Sequence, residues 1–236
     1  MILAAHQPYY LPWLPYFHKL SRCDVFVVLD HVQYGSESYQ NRNRIKLASG
    51  PHWITVPVAR RGLGETIAEK RIAETTGAHD WQRRTWRTIE QSYQKATYLS
   101  RYREALFEIY AQPWQRLSEI NLRLLELAME WLGISTPVVR STTLAPRSQK
   151  SELIAELCTR LGCDTYLSGA GGSRGYLDES FLVSRGIRVL WQHPAHPVYP
   201  QQYAHLGFIS GLSVLDALLN CGPDSRQLVE QSGVHA

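Results

Sequence analysis

Short runs of β-branched and apolar residues alternate along the chain with longer stretches of helical period. That is the pattern of an α/β domain built on a mainly parallel sheet. Met1-Ile2-Leu3-Ala4-Ala5 is apolar throughout, which predicts a strand buried on both faces. A helix over residues 11–20 and a strand over 24–30 follow, a strand–helix–strand run of the length of a right-handed crossover unit. Between residues 33 and 71 the composition changes. Asn41-Arg42-Asn43-Arg44 reads as polar turn residues, followed by strands over 52–59 and 66–72 on either side of a turn at 60–64. Ile54, Val56 and Val58 alternate there with Trp53, Thr55 and Pro57, so residues 34–75 are expected to form a β-hairpin insertion.

Residues 79–133 are expected to form an inserted helical subdomain. Trp81, Trp86, Ile89 and Tyr93 recur at helical spacing, as do Tyr102, Leu106, Ile109 and Tyr110, and then Ile120, Leu124, Leu127, Ala128 and Trp131. Breaks fall near Thr97 and Pro113, and these aromatic stripes read as core. Alternation then resumes, with strands over 137–140, 165–167 and 187–191 and helices over 148–161, 179–184 and 213–219. Gly162 and Gly186 sit where helices must stop. The first and last thirds are thus expected to share one Rossmann-like sheet, in a single domain over residues 1–236.

Composition narrows the class. Of 236 residues 44% are hydrophobic and 19% charged, which excludes a disordered chain. No stretch approaches the roughly 18 apolar residues of a membrane-spanning helix. The first residues lack a basic segment and a small-residue cleavage site, so a cytoplasmic location is expected. Cys23, Cys158, Cys163 and Cys221 are too scattered for a disulfide framework, and no metal is expected on them. His193 and His196 are spaced like a ligand pair, but no acidic partner stands near them in sequence. A net charge of +4 suits a phosphorylated or nucleotide-linked small molecule and argues against a dedicated nucleic-acid binder. Seven Trp and thirteen Tyr outnumber five Phe, so most aromatic rings carry a polar handle suited to a ligand cleft.

Ligands of open parallel sheets bind beyond the carboxyl ends of the strands, and three polar groups fall there. The first is His6-Gln7-Pro8-Tyr9-Tyr10, after the first strand. The second follows the next strand: Asp30, His31 and Gln33, then Asn41, Arg42, Asn43 and Lys46. A carboxylate closing an apolar strand needs a partner, expected in His6 or Arg42, while Arg42, Arg44 and Lys46 could hold a phosphate or carboxylate. The third is the glycine-rich segment Ser168-Gly169-Ala170-Gly171-Gly172, continuing to Tyr176 and Asp178. Its backbone N–H groups could cradle an anion, with glycine needed for close approach or positive φ. It matches neither a Walker loop, nor the Gly-x-Gly-x-x-Gly fingerprint, nor a Gly-x-Ser-x-Gly elbow.

The sequence also resembles the WbqC-like family. The likeness runs through His6-Gln7-Pro8-Tyr9-Tyr10-Leu11-Pro12-Trp13, Tyr16-Phe17 and Lys19, then Asp24-Val25-Phe26-Val27 with Asp30, Val32 and Gln33. It continues in Asn41-Arg42-Asn43 with Lys46, in Trp53-Ile54-Thr55-Val56-Pro57-Val58, and in Tyr166-Leu167-Ser168-Gly169 through Tyr176-Leu177-Asp178. Leu212-Ser213 and Asn220-Cys221-Gly222 close it. Pro15 departs from the glycine expected before Tyr16. The resemblance implies a role in O-antigen, other glycan or secondary-metabolite biosynthesis, with glycine transfer to sugars proposed for some members; it settles no catalytic residue. At the level of fold alone, the His-bearing loop is similar to that of adenylate-forming nucleotidyltransferases with a His-x-Gly-His loop. Here the glycine and second histidine are missing, and Arg147-Ser148-Gln149-Lys150-Ser151 is a loose echo of their lysine-bearing loop.

The expectation drawn from these residues is a transferase that moves an aminoacyl, glycyl or acyl group onto an amino sugar or related metabolite. His6 would act as base or phosphate contact, tuned by Asp30. Gln7, Tyr10, Trp13, Gln33, Asn41, Arg42, Asn43, Lys46, Ser168, Gly169, Gly171, Gly172, Tyr176 and Asp178 would bind substrate or phosphate. An adenylate made with ATP, a thioester carrier and a charged tRNA all stay open as the form in which the acyl group arrives. The alternative is a non-catalytic sugar- or nucleotide-binding protein of a biosynthetic assembly.

Overall fold

The computed structural model describes residues 1–36, 38–60, 64–175 and 177–235. Its centre is a six-stranded sheet of β1 (Ile2–His6), β2 (Val25–Val28), β5 (Val138–Arg140), β6 (Thr165–Gly169), β7 (Arg188–Pro194) and β8 (Gly233–His235), in the order β5-β2-β1-β6-β7-β8. The pairs from β5 to β7 are all parallel, and β8 joins the β7 edge antiparallel. Apolar, doubly buried strands such as Val25-Phe26-Val27-Val28 require cover on both faces. One face carries α1 (Leu14–Ser21), whose Tyr16, Phe17 and Leu20 pack with Ala4, Phe26 and Leu167. The other carries α6 (Lys150–Leu161) and α7 (Glu179–Ser184), packed on Leu3, Ala5, Val27 and Tyr166.

The chain moves outward from β1 through β2 to β5, then returns to β1's other side for β6 and β7. The order therefore reverses between β1 and β6. With right-handed crossovers, that reversal puts the covering helices on opposite faces and opens a crevice at the strands' carboxyl ends. Helices α1 and α6 both begin at this edge.

Between β2 and β5 lie the hairpin β3 (Arg42–Leu47) and β4 (Gly50–Thr55), and helices α2 (Trp81–Ser92), α3 (Leu99–Ala111) and α4 (Leu117–Trp131). The three helices lie within the expected helical segment. The hairpin differs from the expectation: the Trp53 strand pairs with residues 42–47, from Arg42↔Thr55 to Leu47↔Gly50. Residues 66–72 make only isolated bridges, Gln33↔Thr66, Val58↔Ile72 and Arg71↔Arg116. The reason is polar burial. Asn43 and Lys46 are both fully buried, on opposite faces of β3, and form hydrogen bonds there, so an apolar/polar alternation misses the strand.

A short helix α5 (Ser141–Leu144) follows β5, and α8 (Val214–Cys221) and α9 (Ser225–Gln231) lead to β8. Among the described residues no helix is long and apolar enough to cross a membrane.

Candidate functional site

A cavity of about 750 Å³ opens at the β1/β6 switch point. His6 and Gln7 line it from the end of β1, Trp13 and Tyr16 from the start of α1, Lys19 from the last turn of that helix, and Lys150, Leu153 and Ile154 from the start of α6. Gly169, Ala170 and Gly171 contribute the end of β6, and Gln192 and Pro194 that of β7. His6 and the glycine loop thus share one cavity, because parallel strands end at one edge.

His6 is wedged between rings, its centroid 4.6 Å from Tyr9 and 4.9 Å from Tyr16, both edge-on. Burial, then the nearby Lys19 charge, push its pKa down to about 3 against a weak opposing hydrogen bond at Gln7. The imidazole is neutral at physiological pH. Its Nδ1 lies 3.1 Å from the Gln7 carbonyl oxygen, which can only accept, so Nδ1 carries the proton. The lone pair then sits on Nε2. The Tyr16 hydroxyl donates to the same carbonyl at 3.2 Å, and the Gln7 side-chain oxygen accepts from Gln40 at 2.8 Å.

Lys19 forms part of the cavity wall and is only 4% exposed. Its Nζ donates to the Ala5 carbonyl at 3.3 Å. Burial lowers its pKa from 10.5 to about 8, partly offset by the nearby Cys23. Lys150 stands at the rim, exposed, with a left-handed backbone (φ 52°) at the first position of α6. No aspartate or glutamate lines the cavity among the described residues. Two lysines and the positive ends of two helices therefore face it without a compensating carboxylate.

A folded lysine with a lowered pKa binds its proton less tightly than the unfolded chain does. The resulting cost is absent above pH 10.5, grows as pH falls toward about 8, and is complete below that. Lys19→Met is therefore expected to raise stability at pH 7 by about 2 kcal/mol, the pKa shift discounted for water reaching the amine. The gain should vanish above pH 10.5. Urea unfolding of both proteins across this range measures it; equal stability at pH 7 refutes it.

Several residues expected at the site lie elsewhere. Asp30 is fully buried but pairs with neither His6 nor Arg42. Its Oδ2 accepts from Arg140 Nε at 2.7 Å and Thr142 Oγ1 at 3.0 Å, and its Oδ1 from Ser141 Oγ at 3.0 Å and the Thr142 N–H at 2.9 Å. The parallel pairing of β2 with β5 brings these residues to it. Lys46 is buried away from the cavity, donating to the Gly207 carbonyl at 2.6 Å and to Gln201 Oε1 at 3.2 Å. Arg42 stacks over Trp53, 4.9 Å from the ring centroid. Neither cation faces the glycine loop across the cleft.

Asn41 and Asn43 are structural, donating to the carbonyls of Val56 and of Tyr10 and Leu11. Tyr10 is core, its hydroxyl against that of Tyr110 at 2.5 Å. Gln33 is exposed on a backbone bridge, and Ser168 is fully buried within β6. Gly172 opens a 3-10 turn, Gly172–Gly175, and Asp178 caps α7 by accepting from the Phe181 N–H at 2.9 Å. Tyr176 lies outside the described residues. Gly169 and Gly171 have no positive φ, and a Cβ at either would meet no atom within 4 Å, so they leave open space rather than answer a backbone demand.

Tyr16, Lys19, Lys150, Tyr166 and Gln192 line the cavity from outside the three strand-end groups. One signal did mark Lys19: it is a cation amid Tyr16, Phe17 and Leu20 in a helix that must bury its face.

Comparison with known proteins places the chain. It is 33% identical over 225 residues to the "Uncharacterized protein Rv1507c" of Mycobacterium tuberculosis (strain ATCC 25618 / H37Rv), covering 94% of this chain and 95% of that one. No solved structure matches it. The model of the WbqC-like protein family matches residues 7–228, spanning the His6-side loop, the hairpin, the helices and the glycine loop. The chain belongs to the WbqC-like protein family.

Proposed function

We propose that the protein is a transferase whose switch-point cavity binds an anionic, activated donor and passes its acyl or aminoacyl group to an amine or hydroxyl of a sugar or related metabolite. The observation that carries this reading is the wall itself: Lys19 and Lys150, neutral His6, and no carboxylate among the described lining residues. Such a wall favours phosphate or carboxylate and disfavours a cationic ligand. Lys150 at the mouth pairs with the anion. Tyr9, Trp13 and Tyr166 add aromatic rings to the lining, which suits a base or sugar.

His6 Nε2, unprotonated, accepts the proton of the attacking amine or hydroxyl. A bound anion offsets burial and raises the basicity of the ring, so the base strengthens only when donor is present. Gln7 orients it through the Nδ1–H bond.

A thermal-shift screen of nucleotides, nucleotide sugars, acyl thioesters and amino acids, followed by mass spectrometry of donor–acceptor mixtures, tests the reading. An anionic donor should raise the melting temperature, by mass action on the native state. The expected result is also a transferred group on an amino sugar. Stabilisation by cationic ligands alone refutes the anionic cavity, and a tight anion that is never turned over favours the non-catalytic binder.

A further inference from the structure

The chain has five lysines, Lys19, Lys46, Lys70, Lys95 and Lys150, of which Lys95 and Lys150 are exposed. The three buried ones differ in what holds them. Lys70 is ion-paired with Glu65 at 2.9 Å and lies over the Tyr34 ring. Lys46 donates to two oxygens and has the Asp216 carboxylate acting on it. Lys19 has neither. It donates to one carbonyl, pairs with no carboxylate among the described residues, and lines a cavity large enough for a metabolite.

An unpaired buried ammonium is costly, and the cost is relieved by giving up the proton. The charged and titratable groups around it do little to hold that proton, which leaves as pH rises through about 8. His6 on β1 is neutral, the Cys23 thiol is pushed up to about 12 and stays protonated, and Lys150 across the cavity is itself a cation.

We propose that Lys19 is a nucleophilic amine that condenses with the carbonyl of a phosphorylated aldehyde or ketone held in the cavity. The phosphate rests on the anion reading above; the amine chemistry stands apart from it. The Lys19 nitrogen lone pair attacks the carbonyl carbon, and the C=O π pair moves onto oxygen. Both amine protons pass in turn from nitrogen to that oxygen, and water leaves as the C=N bond forms. His6 Nε2, which also lines the cavity, accepts each proton and returns it to the oxygen. The step is redox-neutral, and its only by-product is water. A lysine amine poised this way suits Schiff-base chemistry.

The test uses the full chain with pyridoxal 5′-phosphate as a phosphorylated aldehyde probe, borohydride to trap the imine, and peptide mapping over the five lysines. The expected result is a tag mainly on Lys19, absent in Lys19→Met and in Lys19→Arg, both checked for folding by circular dichroism. Tagging should speed up as pH rises through about 8. Pyridoxal, which lacks the phosphate, should tag Lys19 roughly tenfold more slowly, as for loss of one good contact. A tag on Lys95 or Lys150 with Lys19 untouched overturns the proposal, as does undiminished tagging of either folded variant. If inorganic pyrophosphate fails to slow a tag on Lys19, the amine assignment stands and the anion reading falls. If pyrophosphate binds but Lys19 is never tagged, the reverse holds.

Discussion

Asp30→Ala lowers the free energy of unfolding by about 3 kcal/mol. The carboxylate is fully buried and accepts four hydrogen bonds, from Arg140, Ser141 and twice from Thr142. Hydrogen bonds involving a charge contribute about 1.5–3 kcal/mol each, and buried donors left unpaired cost about 1–3 kcal/mol. These terms do not add fully. Arg140 is 41% exposed and returns to water when its partner is lost, whereas Ser141 is fully buried and cannot. The lost link joins the end of β2 to β5 and α5. It also steadies Leu29 and Val32, which line the cavity on either side of Asp30. Urea denaturation measures the loss, and a change below about 1 kcal/mol would refute the account. Ligand affinity should fall less than stability, because neither Asp30 nor the hydrogen-bond partners of its carboxylate line the cavity.

His6→Gln reduces turnover of the transferred group by roughly 10²–10⁴-fold, the usual contribution of a positioned general base. Glutamine keeps a polar side chain of similar reach but has no basic nitrogen to take the proton. Donor affinity should stay within about threefold, since the proposed anion contacts are Lys150 and the helix ends rather than a neutral ring. Single-turnover kinetics beside calorimetry separate the two quantities. Equal loss of affinity and turnover would make His6 a binding contact and favour the non-catalytic reading. The substitution also removes the ring packed against Tyr9 and Tyr16, so folding is verified by circular dichroism.

The positions of the helices and most parallel strands were legible in the chain because each carries its signal locally. Val25-Phe26-Val27-Val28 is apolar without interruption, Gly162 ends α6 in the left-handed conformation (φ 67°), and Trp86, Ile89 and Tyr93 mark a buried helical stripe. The strand β3 was not legible. Its buried residues Asn43 and Lys46 are polar, and their distant acceptors at Tyr10, Leu11, Gln201 and Gly207 make their burial tolerable. The edge strand β8 was missed too, being three residues long and paired antiparallel only with β7.

The same division holds at the site. That His6, Gln7 and the glycine loop meet follows from strand ends alone, because parallel strands share a carboxyl edge whatever their order. What each charged group does depends on its partner, and partners come from distant parts of the chain. Asp30 looks free to tune His6 until Arg140, Ser141 and Thr142 arrive with β5, and Lys46 looks like an anion contact until the segment after β7 covers it. Lys19 is the converse case. Sequence marks it as a cation in an apolar helix; only the sheet order, by opening the crevice between β1 and β6 directly over α1, turns that buried charge into a cavity wall. Most elements, and the sheet edge where the cavity opens, follow from local signals, since periodicity and strand polarity are local. Tertiary structure decided which polar groups were satisfied and which were left facing the cavity, since hydrogen-bond partners far apart in sequence are set by packing.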